Sequence, residues 1–408
     1  MNLGFAKKIL NEIKELAATQ IFIVVILFIQ VGIVTRQLGV EAFGRVSLLI
    51  VIVSFVFRSL NSRNSDVILI FLSKHKENVF TLSIFFDLFI GSIAYFICII
   101  LLISPLNYNF GNFTLNQTIN LFIFSRVIQG FSETAKAFFT FEKKFKKIAY
   151  CEFAAILLRF LYIIFFFVKN PTIENFLLSQ VIFSISFGLI SLIFSKTNIV
   201  NAKVSTKAFK SFLKVIKINY FKQRGDQLVG LIPQHFDLIL LSIFTNFYTV
   251  GLYRVAKRSI EPINYIVNAL TPVVQNRISL NNNKFEATNL VKSFLFPISI
   301  CFALFYLIFG KFFISTIFGE NFEQAYFQVL ILLIGYLFYL NTFWIRHVLL
   351  LNEKINFHTI SRLINTITFL LFSYIFSSIF PIYGIAISAT IGVILQKIFE
   401  IKIFYNKI

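Results

Sequence analysis

Long, uninterrupted runs of apolar residues make up most of the chain, and polar residues are concentrated in short segments between them. Most runs extend over ~17–25 residues, the length with which an α-helix crosses ~30 Å of bilayer hydrocarbon. Barrel strands would instead alternate apolar and polar residues in segments of about ten. In hydrocarbon only helices and closed barrels satisfy their own backbone hydrogen bonds. The pattern therefore predicts an all-α integral membrane protein.

The apolar runs predict about twelve membrane-spanning helices. Their approximate bounds are 18–35, 44–60, 79–103, 117–140, 148–168, 173–195, 219–244, 248–273, 292–315, 326–351, 361–380 and 383–402. If the N-terminus is cytoplasmic, the seven segments on that side hold 27 Lys and Arg, whereas the six outer loops hold four. An excess of basic residues in cytoplasmic loops sets the orientation of membrane proteins. We therefore expect both termini in the cytoplasm.

The longest connection between spans, residues 196–218, carries six lysines and divides the chain near its midpoint. It separates a predicted N-terminal six-helix bundle, 19–195, from a predicted C-terminal one, 219–408. Before the first bundle, residues 1–18 place apolar side chains at helical spacing among lysines. This pattern favours an amphipathic helix in the cytoplasmic interface.

The two halves begin with similar segments. Residues 38–44 lead into span 2, and residues 244–251 lead into span 8 with a similar mixture of glycine and aromatic residues. Six spans per half give both halves the same orientation, which predicts two bundles related by a pseudo-twofold axis normal to the membrane. Such parallel repeats are typical of alternating-access transporters.

Composition and charge agree with this class. Hydrophobic residues make up 57% of the chain and charged residues 14%, against about 25% charged residues in soluble domains. The net charge of +20 would by itself suggest a nucleic-acid partner. Topology accounts for these basic residues, however, because most of them lie in loops between spans, so no nucleic-acid partner is expected.

Motifs for catalysis or metal binding are not recognisable in the sequence. There is no Gly-rich phosphate loop after a strand, no nucleophile elbow and no pair of catalytic carboxylates. The four histidines have no ligand spacing, and the three cysteines fall inside apolar segments. The sequence therefore predicts neither an enzyme nor a metal site.

Four stretches near the ends of predicted spans carry distinctive glycine and aromatic residues. They are TRQLGVEAFGRVS at 35–47, FDLIL at 236–240 with VGLYRVA at 250–256, IFGENF at 317–322 with Ala325, and PIYGIA at 381–386. In this order they resemble the bacterial polysaccharide flippases, the exporters of O-antigen and related lipid-linked oligosaccharides. These belong to the multidrug/oligosaccharidyl-lipid/polysaccharide exporter superfamily, and the resemblance covers nearly the whole chain.

The resemblance implies a V-shaped pair of six-helix bundles around a central cavity in the bacterial inner membrane. It implies that an undecaprenyl-pyrophosphate-linked oligosaccharide, such as an O-antigen repeat unit of lipopolysaccharide, moves from the cytoplasmic to the periplasmic leaflet. The implied partners are this anionic lipid-linked oligosaccharide, membrane lipids and other polysaccharide-assembly proteins. No cofactor is implied, and the sugar is not fixed.

Charged side chains within the spans indicate a substrate path, because insertion at the bilayer centre costs ~2.5–3.5 kcal/mol and favours wet or protein-lined surroundings. In span 4, Arg126, Glu133 and Lys136 fall on one helix face with Gln129 and Thr140. As a cavity wall, Arg126 and Lys136 would meet an anionic substrate. The alternative is an ion pair between Glu133 and Lys136, with Lys136 extending to the cytoplasmic surface.

Span 8 carries the densest cluster of charge. Arg254, Lys257 and Arg258 lie within five residues, and Glu261 offsets one of them, which leaves a local excess of two positive charges. Arginine supplies planar, bidentate donors that suit a pyrophosphate. We expect this cluster to bind the anion. Two alternatives stay open: Arg254 extends to the outer surface, and Asp237 of span 7 pairs with one of the cations.

Further charges lie in other spans. Arg159 falls near mid-depth of span 5, Arg346 next to His347 in the inner part of span 10, and Asp87 near the middle of span 3. Arg159 and Arg346 join the candidate path. The sequence leaves open whether one of the carboxylates in the spans carries a coupling proton or a sodium ion.

Three other classes of protein compete with a polysaccharide flippase. Another exporter of the superfamily would move drugs or a different lipid-linked precursor, although the excess of cations favours an anionic substrate. A polysaccharide polymerase needs a sizeable outer loop, and the largest one here, 104–117, has no ionisable side chain. A major facilitator transporter normally carries a Gly-rich motif between spans 2 and 3, and residues 61–66 lack the glycines.

Overall fold

A computed structural model describes residues 3–61, 79–103, 113–142, 144–195, 227–280, 284–351 and 355–407, with isolated residues between 62 and 78 and at 225. The helices are α1 (Leu3–Asn61), α2 (Val79–Ile103), α3 (Phe113–Gln129), α4 (Phe131–Phe141), α5 (Phe145–Tyr162), α6 (Ile173–Ser195), α7 (Gln227–Phe244), α8 (Phe247–Leu280), α9 (Lys284–Phe318), α10 (Ala325–Thr342), α11 (Ile345–Leu351), α12 (Ile355–Ile379) and α13 (Gly384–Lys407). A π-helical turn at Ile163–Phe167 extends α5.

Nine segments of the described chain are long and apolar enough to cross a membrane. The first of them, Ile21–Asn61, has 41 residues and would measure about 60 Å at 1.5 Å per residue, twice the hydrocarbon thickness. Gly39 interrupts it with a positive φ of 76°, which costs glycine no Cβ clash. This segment therefore contains predicted spans 1 and 2.

Two further predicted spans have a different form. Span 4 consists of α3, of 17 residues, and α4, of 11 residues, which are separated at Gly130. Span 8 lies within α8, a helix of 34 residues whose charged side chains lower its hydropathy. With these, the described helices account for all twelve predicted spans. The prediction of an all-α, multi-pass membrane protein is confirmed.

The chain divides by its contacts into two compact units, one of residues 1–48 with 232–408 and one of residues 49–231. These limits differ from those of the predicted bundles, because the part of α1 up to Leu48 packs with the C-terminal helices. The two bundles of six helices, 19–195 and 219–408, stay a prediction. Helix α1 continues without interruption from Leu3 into span 1, and the interfacial placement of residues 1–18 also stays a prediction.

Gly44 of α1 and Gly251 of α8 allow two helix backbones to touch in the first unit. A Cβ atom on Gly44 would lie 2.0 Å from the carbonyl oxygen of Phe247, and one on Gly251 would lie 2.2 Å from that of Val40. Each glycine thus faces the carbonyl four residues before the other glycine. Small residues permit such close packing between membrane helices. The contact joins the two similar segments that begin the two halves.

The stretch 35–47 also packs against the stretch 317–322. The Arg36 guanidinium donates a hydrogen bond to the carbonyl oxygen of Thr316. The rings of Phe43 and Phe322 meet edge to face, with centroids 6.1 Å apart. Parts of the stretches that carry the family resemblance are therefore packing elements of one compact unit.

Helix α13 is longer than predicted, and this changes the assignment of Lys397. Lys397 falls in the predicted span 383–402 but was also counted with the basic residues of a cytoplasmic segment, 397–408. In the structure Lys397 lies within α13, is 2% exposed and pairs with Glu400 at 2.6 Å. The cytoplasmic assignment of this lysine was wrong, because burial by neighbouring helices is invisible in a local charge count.

Candidate functional site

The charge cluster of span 8 is organised into two ion pairs within the first unit. Lys257 Nζ lies 2.5 Å from Asp237 Oδ2, and Arg258 lies 2.5 Å from Glu261 Oε2. The pairing of Asp237 with a span 8 cation was one of the open alternatives. With Asp237 included, three cations and two carboxylates leave an excess of one positive charge. The excess of two predicted for span 8 alone thus falls to one when Asp237 of span 7 is counted.

Asp237 is fixed by further hydrogen bonds. The Tyr253 hydroxyl donates to Asp237 Oδ2 at 3.0 Å, and Lys257 also donates to the Gln234 carbonyl oxygen at 2.9 Å. The carboxylate is 1% exposed. A buried ion pair is stable when hydrogen bonds satisfy the remaining lone pairs and protons. These contacts indicate that Asp237 and Lys257 hold α7 against α8.

Arg258 and Glu261 face a narrow cleft in the first unit. The cleft is lined by Val24, Leu27, Phe28 and Val31 of α1, by Tyr265 of α8 and by Phe318 of α9. Its empty volume of about 260 Å³ includes open solvent at its mouth, so the enclosed space is smaller than this. The cleft therefore exposes the ion pair between apolar walls but is too small for an oligosaccharide in this conformation.

Arg126 lies in the second unit and has a different environment from the span 8 cations. Its guanidinium donates to Gln129 Oε1 at 2.6 Å and lies 5.1 Å from the centroid of the Phe122 ring. Its Nε is buried without a hydrogen-bond partner. Among the residues that the structure describes, no carboxylate contacts Arg126.

A second cation stands close to Arg126. Arg58, near the end of the membrane-spanning part of α1, is near enough to repel Arg126 electrostatically. From its position in the predicted cytoplasmic segment 58–78, Arg58 was expected only to set topology. Like charges repel each other, and an anion placed near both would relieve that repulsion. The position is therefore suited to a negatively charged ligand.

The predicted polar face of span 4 is interrupted at Gly130, between Gln129 and Phe131. Glu133, in the first turn of α4, accepts a hydrogen bond from the Ser65 backbone N–H at 3.4 Å. Lys136 is exposed and, within the described residues, does not pair with Glu133, so the ion pair of the alternative is not formed. Arg126 and Glu133 thus lie on opposite sides of a helix break that the residue spacing did not reveal.

Arg159 and Arg346 lie apart from these clusters. Arg159 is 8% exposed, and its guanidinium lies 5.9 Å from the centroid of the Phe176 ring in the second unit. Arg346 belongs to α11 in the first unit, within electrostatic range of Tyr339 and His358. Arg254 is partly buried on α8, one turn before Arg258.

A buried polar network at the start of α12 and the end of α13 was missed by the sequence analysis. Glu400, which is 0% exposed, accepts hydrogen bonds from Ser361 at 2.7 Å and Gln396 at 3.1 Å. His358 Nδ1 lies 3.0 Å from the same carboxylate, and Lys397 pairs with it as described above. The spacing of Lys397 and Glu400 inside an apolar span was the available signal. These contacts indicate that the network holds α12 and α13 together.

Comparison with known proteins shows the family. Residues 33–327 match the model of the family described as "Polysaccharide biosynthesis protein". This match covers most of the chain, so the chain belongs to the polysaccharide biosynthesis protein family. No curated protein matches the chain at a significant level.

Several solved structures share the fold at low sequence identity. The lipid II flippase MurJ in an inward closed conformation superposes with a TM-score of 0.73 at 16% identity, over 96% of this chain and 87% of that one. An inward-facing multidrug resistance MATE family transporter of the MOP superfamily gives 0.71 at 14% identity, over 94% and 96%. The Vibrio cholerae MATE transporter VcmN in its bent form gives 0.60 at 13% identity, over 98% and 97%. The chain therefore has the fold of these proteins.

Proposed function

We propose that the protein moves an undecaprenyl-pyrophosphate-linked oligosaccharide, an O-antigen or similar repeat unit, from the cytoplasmic to the periplasmic leaflet of a bacterial inner membrane by alternating access. Both termini then lie in the cytoplasm. The observation that carries this proposal is Arg126, a cation within a membrane span that no described carboxylate neutralises. It lies in a chain of the polysaccharide biosynthesis family.

The chemistry of the lipid-linked substrate fits Arg126. A pyrophosphate is a compact anion, and two unit charges ~4 Å apart at an effective dielectric constant of ~20 interact by ~4 kcal/mol. The planar guanidinium binds phosphate oxygens through paired hydrogen bonds. The unpartnered Nε of Arg126 supplies a donor that a phosphate oxygen would satisfy. Repulsion from Arg58 adds to the gain when the anion binds.

Arg258 is the second proposed contact, and its role differs from that of Arg126. It is paired with Glu261 at the edge of the narrow cleft. An anion at Arg258 therefore competes with Glu261 for the guanidinium, which suits transient binding and release. Lys257 and Asp237 hold each other and are assigned to stability. Glu133, Lys136, Arg159, Arg254 and Arg346 stay hypothetical members of the path.

The shared fold supports movement of a lipid-linked precursor, since one similar structure is that of a lipid II flippase. Other similar structures are multidrug transporters, so export of drugs is the second candidate function. A cation without a carboxylate partner disfavours cationic drugs, because bringing a second positive charge to Arg126 costs free energy. Membrane lipids and other polysaccharide-assembly proteins are the proposed partners.

Deletion of the gene in its host tests the proposal. We expect the lipid-linked oligosaccharide to accumulate in the inner leaflet while surface polysaccharide is lost, with recovery by the wild-type gene. Normal surface polysaccharide together with increased sensitivity to drugs would instead identify a drug exporter. Accumulation of single repeat units in the periplasmic leaflet would identify a polymerase defect and contradict export.

A further inference from the structure

Asp87 on α2 is a buried carboxylate that contacts only neutral groups among the described residues. It is 0% exposed. Its Oδ2 accepts hydrogen bonds from the Thr134 backbone N–H at 3.1 Å and the Thr134 hydroxyl at 2.5 Å. Its Oδ1 accepts one from Asn64 Nδ2 at 2.9 Å. Asp237, which is equally buried, is instead paired with a lysine.

The hydrogen bond from Thr134 creates the break in span 4. In an unbroken helix the Thr134 N–H would bond to the carbonyl oxygen of Gly130, four residues earlier. That oxygen accepts the Glu133 N–H at 2.9 Å instead, and the Thr134 N–H is diverted to Asp87. Insertion of a side chain into the helical hydrogen-bond ladder is a known cause of a kink. Asp87 therefore occupies the start of α4, where the helix dipole favours a negative charge.

Asn61 supplies an independent observation at the same place. It is 8% exposed, and its Oδ1 has no hydrogen-bond partner. Its Nδ2 lies 3.5 Å from the position that a Cβ on Gly130 would take, and the Asp87 carbonyl oxygen lies 3.8 Å from the same position. A buried acceptor without a donor costs free energy. A ligand or side chain that brings a hydroxyl group next to Gly130 would donate a hydrogen bond to this Asn61 oxygen.

We propose that Asp87 is a proton-binding site whose protonation controls the break between α3 and α4. On protonation one carboxylate oxygen forms an O–H bond with a proton from water. The Thr134 hydroxyl, which lies 2.5 Å from Asp87 Oδ2, then rotates and accepts the new O–H. The charge-assisted bond to the Thr134 N–H weakens, so that N–H returns to the Gly130 carbonyl and the two helices align. Arg126 and Glu133, on either side of the break, then change their relative orientation.

Two opposing effects keep both forms of Asp87 accessible. Three hydrogen-bond donors favour the carboxylate, whereas removal from water without a cation favours the carboxylic acid. The charged groups on the neighbouring elements are Arg58 on α1, Arg126 on α3, and Glu133 and Lys136 on α4, of which Glu133 acts on Asp87 directly by repulsion. The groups aimed at Asp87 are donors, whereas a sodium ion requires oxygen lone pairs. The geometry therefore favours a proton over sodium.

Infrared difference spectroscopy on the purified full chain in lipid nanodiscs, between alkaline and acidic buffer, tests this inference without any substrate. We expect a carboxylic acid C=O band that is absent in Asp87→Asn and retained in the matched double variant Asp237→Asn, Lys257→Met, which removes the other buried carboxylate together with its cation. Thr134→Val removes one donor to the carboxylate and should raise the proton affinity about tenfold, moving the titration midpoint by about one pH unit. If Asp87→Asn does not fold, Thr134→Val decides the test. A band unchanged by Asp87→Asn, or an unmoved midpoint in Thr134→Val, overturns the proposal.

A distance measurement tests the effect on the helix break. The three native cysteines are replaced by alanine, and spin labels are attached at Phe124→Cys in α3 and Phe141→Cys in α4. The native side chains at these two positions are 53% and 45% exposed, and the distance between the labels reports on the arrangement of the two helices. We expect the distance to titrate with the infrared band and to become independent of pH in Asp87→Asn. A sodium-dependent distance at constant pH that Asp87→Asn abolishes would overturn the proton assignment. Because no substrate is present, these results are independent of the proposed export function.

Discussion

Lys257 and Asp237 lie on adjacent helices and form an ion pair of 2.5 Å whose side chains are only 14% and 2% exposed. The pair takes one cation of the span 8 cluster out of the expected substrate site. Arg258 is paired as well, with Glu261. Arg126, by contrast, has a neutral amide as its hydrogen-bond partner. A cation that pairs with a carboxylate is therefore interpreted as structural, and a cation without one as a candidate contact for an anion.

The Lys257–Asp237 pair should matter for stability. Lys257→Met leaves Asp237 buried without its cation, which typically costs ~3–5 kcal/mol, so the melting temperature in detergent and the protein level should fall sharply. Lys311→Met removes the exposed pair with Glu323, whose side chains are 63% and 42% exposed, and should cost at most ~1 kcal/mol. The double variant Asp237→Asn, Lys257→Met should recover stability. Equal losses in the two lysine variants would show that burial of the pair is unimportant.

Arg126 should matter for export and little for folding. Arg126→Ala removes a charge without leaving a described carboxylate unpaired, so we expect protein levels close to those of the wild type. Loss of a hydrogen-bonded charge contact of ~1.5–3 kcal/mol should reduce export about 10- to 100-fold, and Arg126→Lys should retain part of it. Arg45→Ala, which removes an exposed pair with Glu41, is the matched control and should export normally. Collapse of the protein level in Arg126→Ala would instead indicate a structural role.

The contact between Gly44 and Gly251 should be intolerant of a methyl group. In Gly44→Ala or Gly251→Ala the new Cβ would overlap a backbone carbonyl oxygen at 2.0 or 2.2 Å, and overpacking of this kind costs about 1–3 kcal/mol. Gly225→Ala is the control, since no described heavy atom lies within 4 Å of its Cβ position. Thermal melts of the purified variants measure the difference. Unchanged melting of Gly44→Ala would contradict the close backbone contact.

The predicted orientation can be tested with reporters at described turns. From the excess of basic residues on one side, fusions at Lys144 and after Lys407 should report a cytoplasmic location, and a fusion at Asn170 a periplasmic one. The helices next to these positions are described. One predicted span separates Lys144 from Asn170, so reporters at these two sites should lie on opposite sides of the membrane. A periplasmic reporter at Lys144 would overturn the orientation.

The number and placement of the spans could be predicted because bilayer thickness imposes a length on each apolar run, independent of tertiary contacts. Gly44 and Gly251 were recognised as similar positions in the two halves. Their mutual contact was not predicted, since local similarity carries no information on which helices meet. Lys397 was misassigned for the same reason: its burial comes from helices distant in sequence.

The charges show the same limit. Arg126 and Glu133 were predicted to share one face of span 4, but the helix break between them, beside which Thr134 bonds to Asp87 from 47 residues away, was not predicted. Asp237 was named as a partner for a span 8 cation without the choice of Lys257, because helical spacing leaves several cations within reach. Contacts across the fold, which decide which charge is neutralised, do not follow from periodicity.

Reconstitution into liposomes tests the central claim most directly. Movement of a fluorescent undecaprenyl-pyrophosphate disaccharide across the bilayer is measured by quenching the fluorescence in the outer leaflet. An uncharged analogue, in which the disaccharide is linked to undecaprenol without the pyrophosphate, is measured in the same way. The account predicts that wild-type protein moves the pyrophosphate lipid faster than protein-free vesicles do, and faster than it moves the uncharged analogue. It predicts that Arg126→Ala loses this preference while Arg45→Ala keeps it. Equal movement of both lipids by wild-type protein, or an undiminished preference in Arg126→Ala, would contradict the account.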